Sequence, residues 1–178
     1  MRKVTRRRFV ATGAAGTVLL VLAGCTRSIV RESRDESGYR FRVLKAADRE
    51  LLAAVATAML AGALPVEGTA RRTALVQTVE GIDAAVSGLP PSVVDEVRQL
   101  FGLLEFPLTR AIFAGIWSGW TEADTRAVTS FLGRWRFSNA SLFRSGYQAL
   151  HQLVMAAWYG NRTSWTRIAY PGPPDVPS

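Results

Sequence analysis

From Lys45 to Tyr159 apolar residues recur every three or four positions, no stretch alternates with a period of two, and Gly or Pro closes most of the apolar stretches. That rhythm constrains the fold more than any other feature. A 3.6-residue period produces helices with one apolar face, and such faces must bury against one another. Leu51, Leu52, Val55, Ala58 and Met59 predict a helix from Lys45 to Leu60, with Asp48 and Glu50 in its first turn and Gly62 and Pro65 ending it. Leu75, Val79, Ile82 and Val86 predict a second, Ala70 to Val86, with Arg71 and Arg72 near its start. After Gly88-Leu89-Pro90-Pro91, a third runs Ser92 to Leu104 through Val94, Val97, Leu100, Phe101 and Leu104, with Pro91 placed as a first-turn proline. The segment Pro107 to Trp117 is apolar nearly all round (Leu108, Ile112, Phe113, Ile116, Trp117), which predicts a buried helix stopped by Gly119. Thr121-Glu122-Ala123-Asp124 reads as a capping box with Asp in the place of Glu or Gln. It opens a fifth helix to about Trp135, facing inward through Val128, Phe131, Leu132 and Trp135. Asn139 to Tyr159 is the longest, with Leu142, Phe143, Tyr147, Leu150, Val154 and Trp158 at helical spacing and Gly160 and Asn161 as left-handed stops. The expectation is an all-α, compact bundle of about six helices in a domain spanning 41–178, closed by an irregular aromatic and proline-rich tail that is not helical from Arg162 on.

The first 25 residues obey a different logic. Arg2, Lys3, Arg6, Arg7 and Arg8 precede an uncharged, mostly apolar run of 16 residues, Phe9 to Gly24, and then Leu22-Ala23-Gly24-Cys25. A positive region, a short apolar run and small residues before a cut define an export signal. A span needs roughly 20 predominantly apolar residues, so a permanent transmembrane helix is the weaker reading. Thr5-Arg6-Arg7-Arg8-Phe9-Val10 resembles the twin-arginine (Tat) consensus through Arg6, Arg7 and Phe9, with Ala11 where Lys is usual. The alternative is an ordinary secretory signal with extra arginines. Leu22-Ala23-Gly24-Cys25 resembles the bacterial lipobox, in which a thiol is the lipid nucleophile. Cys25 is the one cysteine among 178 residues, and it falls at the cleavage position. Residues 1–24 are therefore expected to be a Tat-type lipoprotein signal, and 25–40 a lipidated flexible tether. A short arm packed on the core is the other reading of that charged stretch. The location implied is the periplasmic side of the envelope, on a membrane that Thr26 does not specify as inner or outer.

Charge follows the same division. Of 22 basic residues five lie in Met1–Gly24, which holds no acid, so 17 remain against 14 acids and the formal charge falls from +8 to +3. The basic excess belongs largely to the signal, which removes most of the support for a nucleic-acid partner. The remaining 154 residues are enough for one apolar core, and with Cys25 acylated no internal disulfide can form.

Catalytic chemistry is sparse. The single histidine, His151, stands beside Tyr147, Leu150, Val154 and Met155 at helical spacing and reads as a structural or surface residue. One His and one acylated Cys do not supply the usual zinc or haem ligands. Asp95-Glu96 and Glu122/Asp124 fit caps and solvated faces, and neither a nucleophile elbow nor a Gly-x-Gly-x-x-Gly is present. No catalytic, cofactor-binding or metal residue is expected in this chain. The tail differs: Trp158, Tyr159, Gly160, Trp165, Tyr170, Pro171 and Gly172 form an aromatic, proline-rich stretch. It either folds back over its own bundle or marks an interface.

At this stretch the chain resembles the gluconate 2-dehydrogenase subunit 3 family, small helical Tat-exported partners of flavin-dependent dehydrogenases of the glucose–methanol–choline type. The matching residues are Tyr159-Gly160-Asn161, Trp165 and Tyr170-Pro171-Gly172-Pro173, with Ala169 where Gly is common. Ala47 to Val55 and Leu103-Leu104-Glu105-Phe106-Pro107-Leu108 are also similar to family stretches, so the resemblance spans roughly Phe41 to Pro174. It implies a noncatalytic subunit that binds a large dehydrogenase subunit acting on sugars or alcohols, supports its folding and carries it through the Tat translocase. FAD would be held by that partner and none by this chain. A cytochrome subunit is a further partner the resemblance allows, although the lipobox departs from that arrangement and would make this subunit the membrane anchor. A stand-alone envelope lipoprotein, a binding or structural module, is the alternative.

Overall fold

The central helix exists because its apolar stripe is nearly a cylinder. In the computed structural model, which describes residues 38–66, 68–165 and 171, α1 (Ala46–Met59) buries Leu51, Leu52, Val55 and Ala56 completely. It touches α2 (Gly68–Ser87), α3 (Pro91–Glu105), α5 (Thr125–Arg136), α6 (Ser141–Gly160) and the 3₁₀ turn Trp120–Glu122. The described residues are all helical or irregular, an all-α bundle with α4 (Pro107–Thr109) and α7 (Arg162–Trp165) as short additions. None of the described helices is long and apolar enough to cross a membrane.

The most extensive pairing is α2 with α6. They run antiparallel, since Gln77 meets Asn161 and Gly81 meets Ala157. A Cβ on Gly81 would lie 3.1 Å from that of Ala157, so the missing side chain lets the two backbones approach. The opposite end is filled by rings. Trp120–Phe131, Phe131–Trp135, Trp135–Phe143 and Phe113–Phe143 follow one another at centroid distances of 6.1, 4.8, 5.4 and 5.8 Å. Both indoles of this cluster keep a hydrogen-bond partner, Trp120 Nε1 donating to Leu104 O and Trp135 Nε1 to Phe113 O.

Four expectations are corrected. Residues 107–117 are not one buried helix. A single turn, Pro107–Thr109, widens into a π-turn, Arg110–Ala114, and stops at Gly115 with φ +72°. Only one side of this segment has helices beneath it, α3, α5 and (through Phe143) α6, so Ala111, Ala114 and Ile116 are buried while Leu108, Ile112 and Trp117 face solvent. Asp124 is itself the N-cap of α5, its Oδ1 accepting from Arg126 N, so the helix starts one residue after the expected box. α6 ends with no left-handed residue: Asn161 has φ −88°, and its side chain makes the turn instead. Residues Arg162–Trp165 are helical, because the prolines that forbid a helix begin only at Pro171.

Candidate functional site

Two carboxylates organise the chain where it enters α1. Asp83, fully buried on α2, accepts hydrogen bonds from the backbone N–H groups of Arg42, Val43 and Leu44, each at 2.9 Å, and from Tyr39 Oη at 3.2 Å. Asp48 Oδ2 takes the next N–H, that of Lys45, at 2.7 Å. Four consecutive backbone donors thus end on ionisable oxygens. Burial, then the charge of Asp83, raises the Tyr39 pKa, so the phenol keeps the proton it donates. Tyr39 and Phe41 also meet edge to face, with the Arg49 guanidinium over the Phe41 ring. Tyr39, expected in the tether, is part of a packed arm.

The arm borders a cleft of about 370 Å³ between α2 and the end of α6, lined among others by Tyr39, Gln77, Glu80, Gly160 and Asn161. The expected tail motif lies here, folded into a knot. Asn161 Nδ2 donates to Gln77 Oε1, and Asn161 Oδ1 accepts from Thr163 N and Oγ1. Ser164 Oγ donates to Trp158 O and Trp165 Nε1 to Tyr159 O, while Arg162 lies over the Trp165 ring. Among the expected interface residues, Tyr159, Gly160 and Pro171 are exposed and Trp165 is partly covered. Trp158 is in the core at 3% exposure, so its side chain is packing material and not surface. Tyr170 and Gly172 lie outside the described residues, as do Arg6, Arg7, Phe9 and Cys25. His151 is half-buried, its ring 5.7 Å from that of Tyr147.

At the other end, the C-terminal carbonyls of α3 are taken by side chains. Thr109 Oγ1 donates to Leu103 O, Trp120 Nε1 to Leu104 O and Arg110 Nη1 to Glu105 O. Beside them Glu105 faces Asp48. Burial, then hydrogen bonding to Asp48 and its charge, pushes the Glu105 pKa up to about 8, and Glu105 Oε1 is buried without a hydrogen-bond partner. Periodicity alone passed over these acids, yet it carried a signal: Asp83 falls on the stripe of Val79, Ile82 and Val86, and Asp48 on that of Leu51, Leu52 and Val55. An acid on an inward stripe must be satisfied or neutral.

Among the described residues no group of three or more His, Cys, Asp or Glu is placed to hold a metal ion. The cleft has a mostly apolar floor of Gly81, Ala84, Ala156 and Ala157, edged by Tyr39, Gln77, Glu80 and Asn161. The chain matches no protein-family model, no curated protein and no solved structure.

Proposed function

We propose that this chain is the noncatalytic small subunit and export escort of a periplasmic FAD-dependent dehydrogenase acting on sugars or alcohols, anchored to a membrane through a lipid on Cys25. The observation that carries this reading is the motif Tyr159-Gly160-Asn161 with Trp165, through which the chain resembles such subunits. Its side chains are tied into a knot at the end of α6 that leaves Tyr159 outward. A knot built from side chain–backbone bonds holds an exposed aromatic in one place, which lowers the ordering cost of binding a partner. The twin-arginine motif supplies the second support, because that route is taken by cargo already folded around a cofactor.

Purification of the tagged chain from detergent-solubilised membranes of its own source tests the reading. A flavoprotein should co-elute in fixed ratio, visible by its flavin absorbance. Tyr159→Ala with Trp165→Ala should lower its recovery several-fold, leaving the chain in the membrane. Intact chain recovered without any flavoprotein would sink the proposal.

A further inference from the structure

The end of the bundle away from the tail knot shows apolar side chains ringed by arginine. Arg134 Nη2 donates to Ala114 O, Trp135 Nε1 donates to Phe113 O, and the Phe113 and Phe143 rings meet. These contacts bring the segment 106–117 to the same end as the α5–α6 junction. Trp117 is 84% exposed, Phe137 78%, Leu142 72% and Ile112 65%. Around them stand Arg110, Arg134, Arg136 and Arg144. Three are pinned by backbone carbonyls: Arg110 to Glu105 O and Ile116 O, Arg134 to Ala114 O, and Arg144 to Ser138 O and Asn139 O. The fourth, Arg136, lies over the Phe137 and Tyr147 rings. None of the four is in an ion pair with a carboxylate of the described residues. The charge is regional, since Thr125 to Pro174 holds six arginines and no acid. Among other acids, Glu105 is partly covered beside Asp48, and Glu122 is exposed on the 3₁₀ turn that follows Trp117. Asp124 caps the far end of α5, about 18 Å along the helix from Arg136.

We infer that this arginine-ringed end of the bundle lies on the surface of an anionic lipid bilayer. Fixed guanidinium groups outside any ion pair match headgroup phosphates, and Trp117, Phe137 and Leu142 are the amphipathic and apolar side chains that enter the boundary below them. An anionic bilayer offers phosphate at every lateral position, whatever the spacing of the four guanidinium groups. The 13 residues that follow Cys25 as far as Gly38 can span up to about 45 Å when extended. The inference rests on the membrane-anchor part of the proposed function and is independent of the dehydrogenase partner. One lipid attachment reinforced by a basic patch also holds a protein more firmly than either alone.

The test uses the full chain carrying Cys25→Ser, so that no acyl group contributes, and vesicles with brominated acyl chains. Trp117 should be quenched in phosphatidylglycerol/phosphatidylcholine vesicles and not in phosphatidylcholine alone, and Trp117→Phe should remove that quenching. Arg136→Gln with Arg144→Gln should require about thirtyfold more anionic vesicle for half-maximal quenching, from roughly one surface arginine's attraction each. Attachment of the chain to anionic vesicles without Trp117 quenching would overturn the inference, because the basic N-terminal stretch would then be the sole contact. So would quenching indifferent to the arginine substitutions, or self-association that shields Trp117 in the absence of lipid. Flavoprotein recovery is read separately, so failure here leaves the partner reading standing.

Discussion

Asp83 shows how one residue decides where a domain begins. Its carboxylate accepts from three successive backbone N–H groups and from Tyr39 Oη, and nothing else at that place can replace it. Asp83→Ala strands those donors, Leu44 N–H in a buried position, and should cost about 3 kcal/mol or more in urea unfolding. Tyr39→Phe removes one part-buried bond and should cost about 1 kcal/mol. Glu105 makes the opposite contribution at high pH. Its pKa is pushed up to about 8, by burial first and then by Asp48, with Lys45 opposing and Glu50 adding. The unfolded chain releases this proton near pH 4.5, so between those limits the native state binds more proton than the unfolded one. The stability it contributes is full below about pH 4.5 and is lost as pH rises through about 8. Glu105→Gln should flatten this slope and leave the variant more stable than the parent at pH 8 to 9, as thermal unfolding at a series of pH values would register. A parent slope equal to the variant's would refute it.

At the scale of elements, the glycines separate packing from propensity. A Cβ at Gly146 in α6 would lie 2.6 Å from Cζ3 of Trp135, a ring held by its bond to Phe113 O and by edge contact with Phe131. Gly102 in α3 has open space around it. Gly146→Ala should therefore destabilise by about 1–2 kcal/mol despite the better helix propensity. Gly102→Ala should stabilise by up to about 1 kcal/mol. Reversal of that order in paired denaturation curves would show that Trp135 has room to move. The same elements show what the sequence could reveal. The inward stripes of α1, α5 and most of α6 were legible because neighbours cover those apolar faces, as Leu51, Phe131 and Leu150 attest, while Leu142 at the start of α6 is exposed. The segment 107–117 was not, because composition does not say that only one side of a short apolar stretch will meet other helices. Nor was Asp83 as a clamp: the identity of a buried acid's partners is a tertiary fact, 39 to 44 residues away in the chain. In the tail motif Tyr159 was legible as an outward aromatic. Trp158 had two readings in sequence, on the inward stripe and in the aromatic tail, and the structure puts it on the stripe with Val154 and Leu150 in the core.

At the scale of the whole molecule, the two ends of the bundle carry different chemistry. The knot around Asn161 is built from polar side chains beside a cleft lined by Tyr39 and small apolar residues, whereas the end around Trp117 is arginine-rich and apolar. A subunit that holds a folded companion near a membrane needs two such unlike surfaces, because one surface cannot serve both contacts at once. The same arrangement sets a demand on export. On the proposed function, a companion held at the knot would cross the membrane folded, with its flavin inside, and the address of the pair would be that of this chain. Arg6→Lys combined with Arg7→Lys keeps both positive charges but alters the pair that the twin-arginine receptor reads. Both proteins should then remain cytoplasmic, and dehydrogenase activity in the envelope fraction should fall to background while total flavoprotein stays unchanged. If the flavoprotein still reached the envelope when this chain was retained, it would carry its own address and the escort role would fail, even were the two found in one complex.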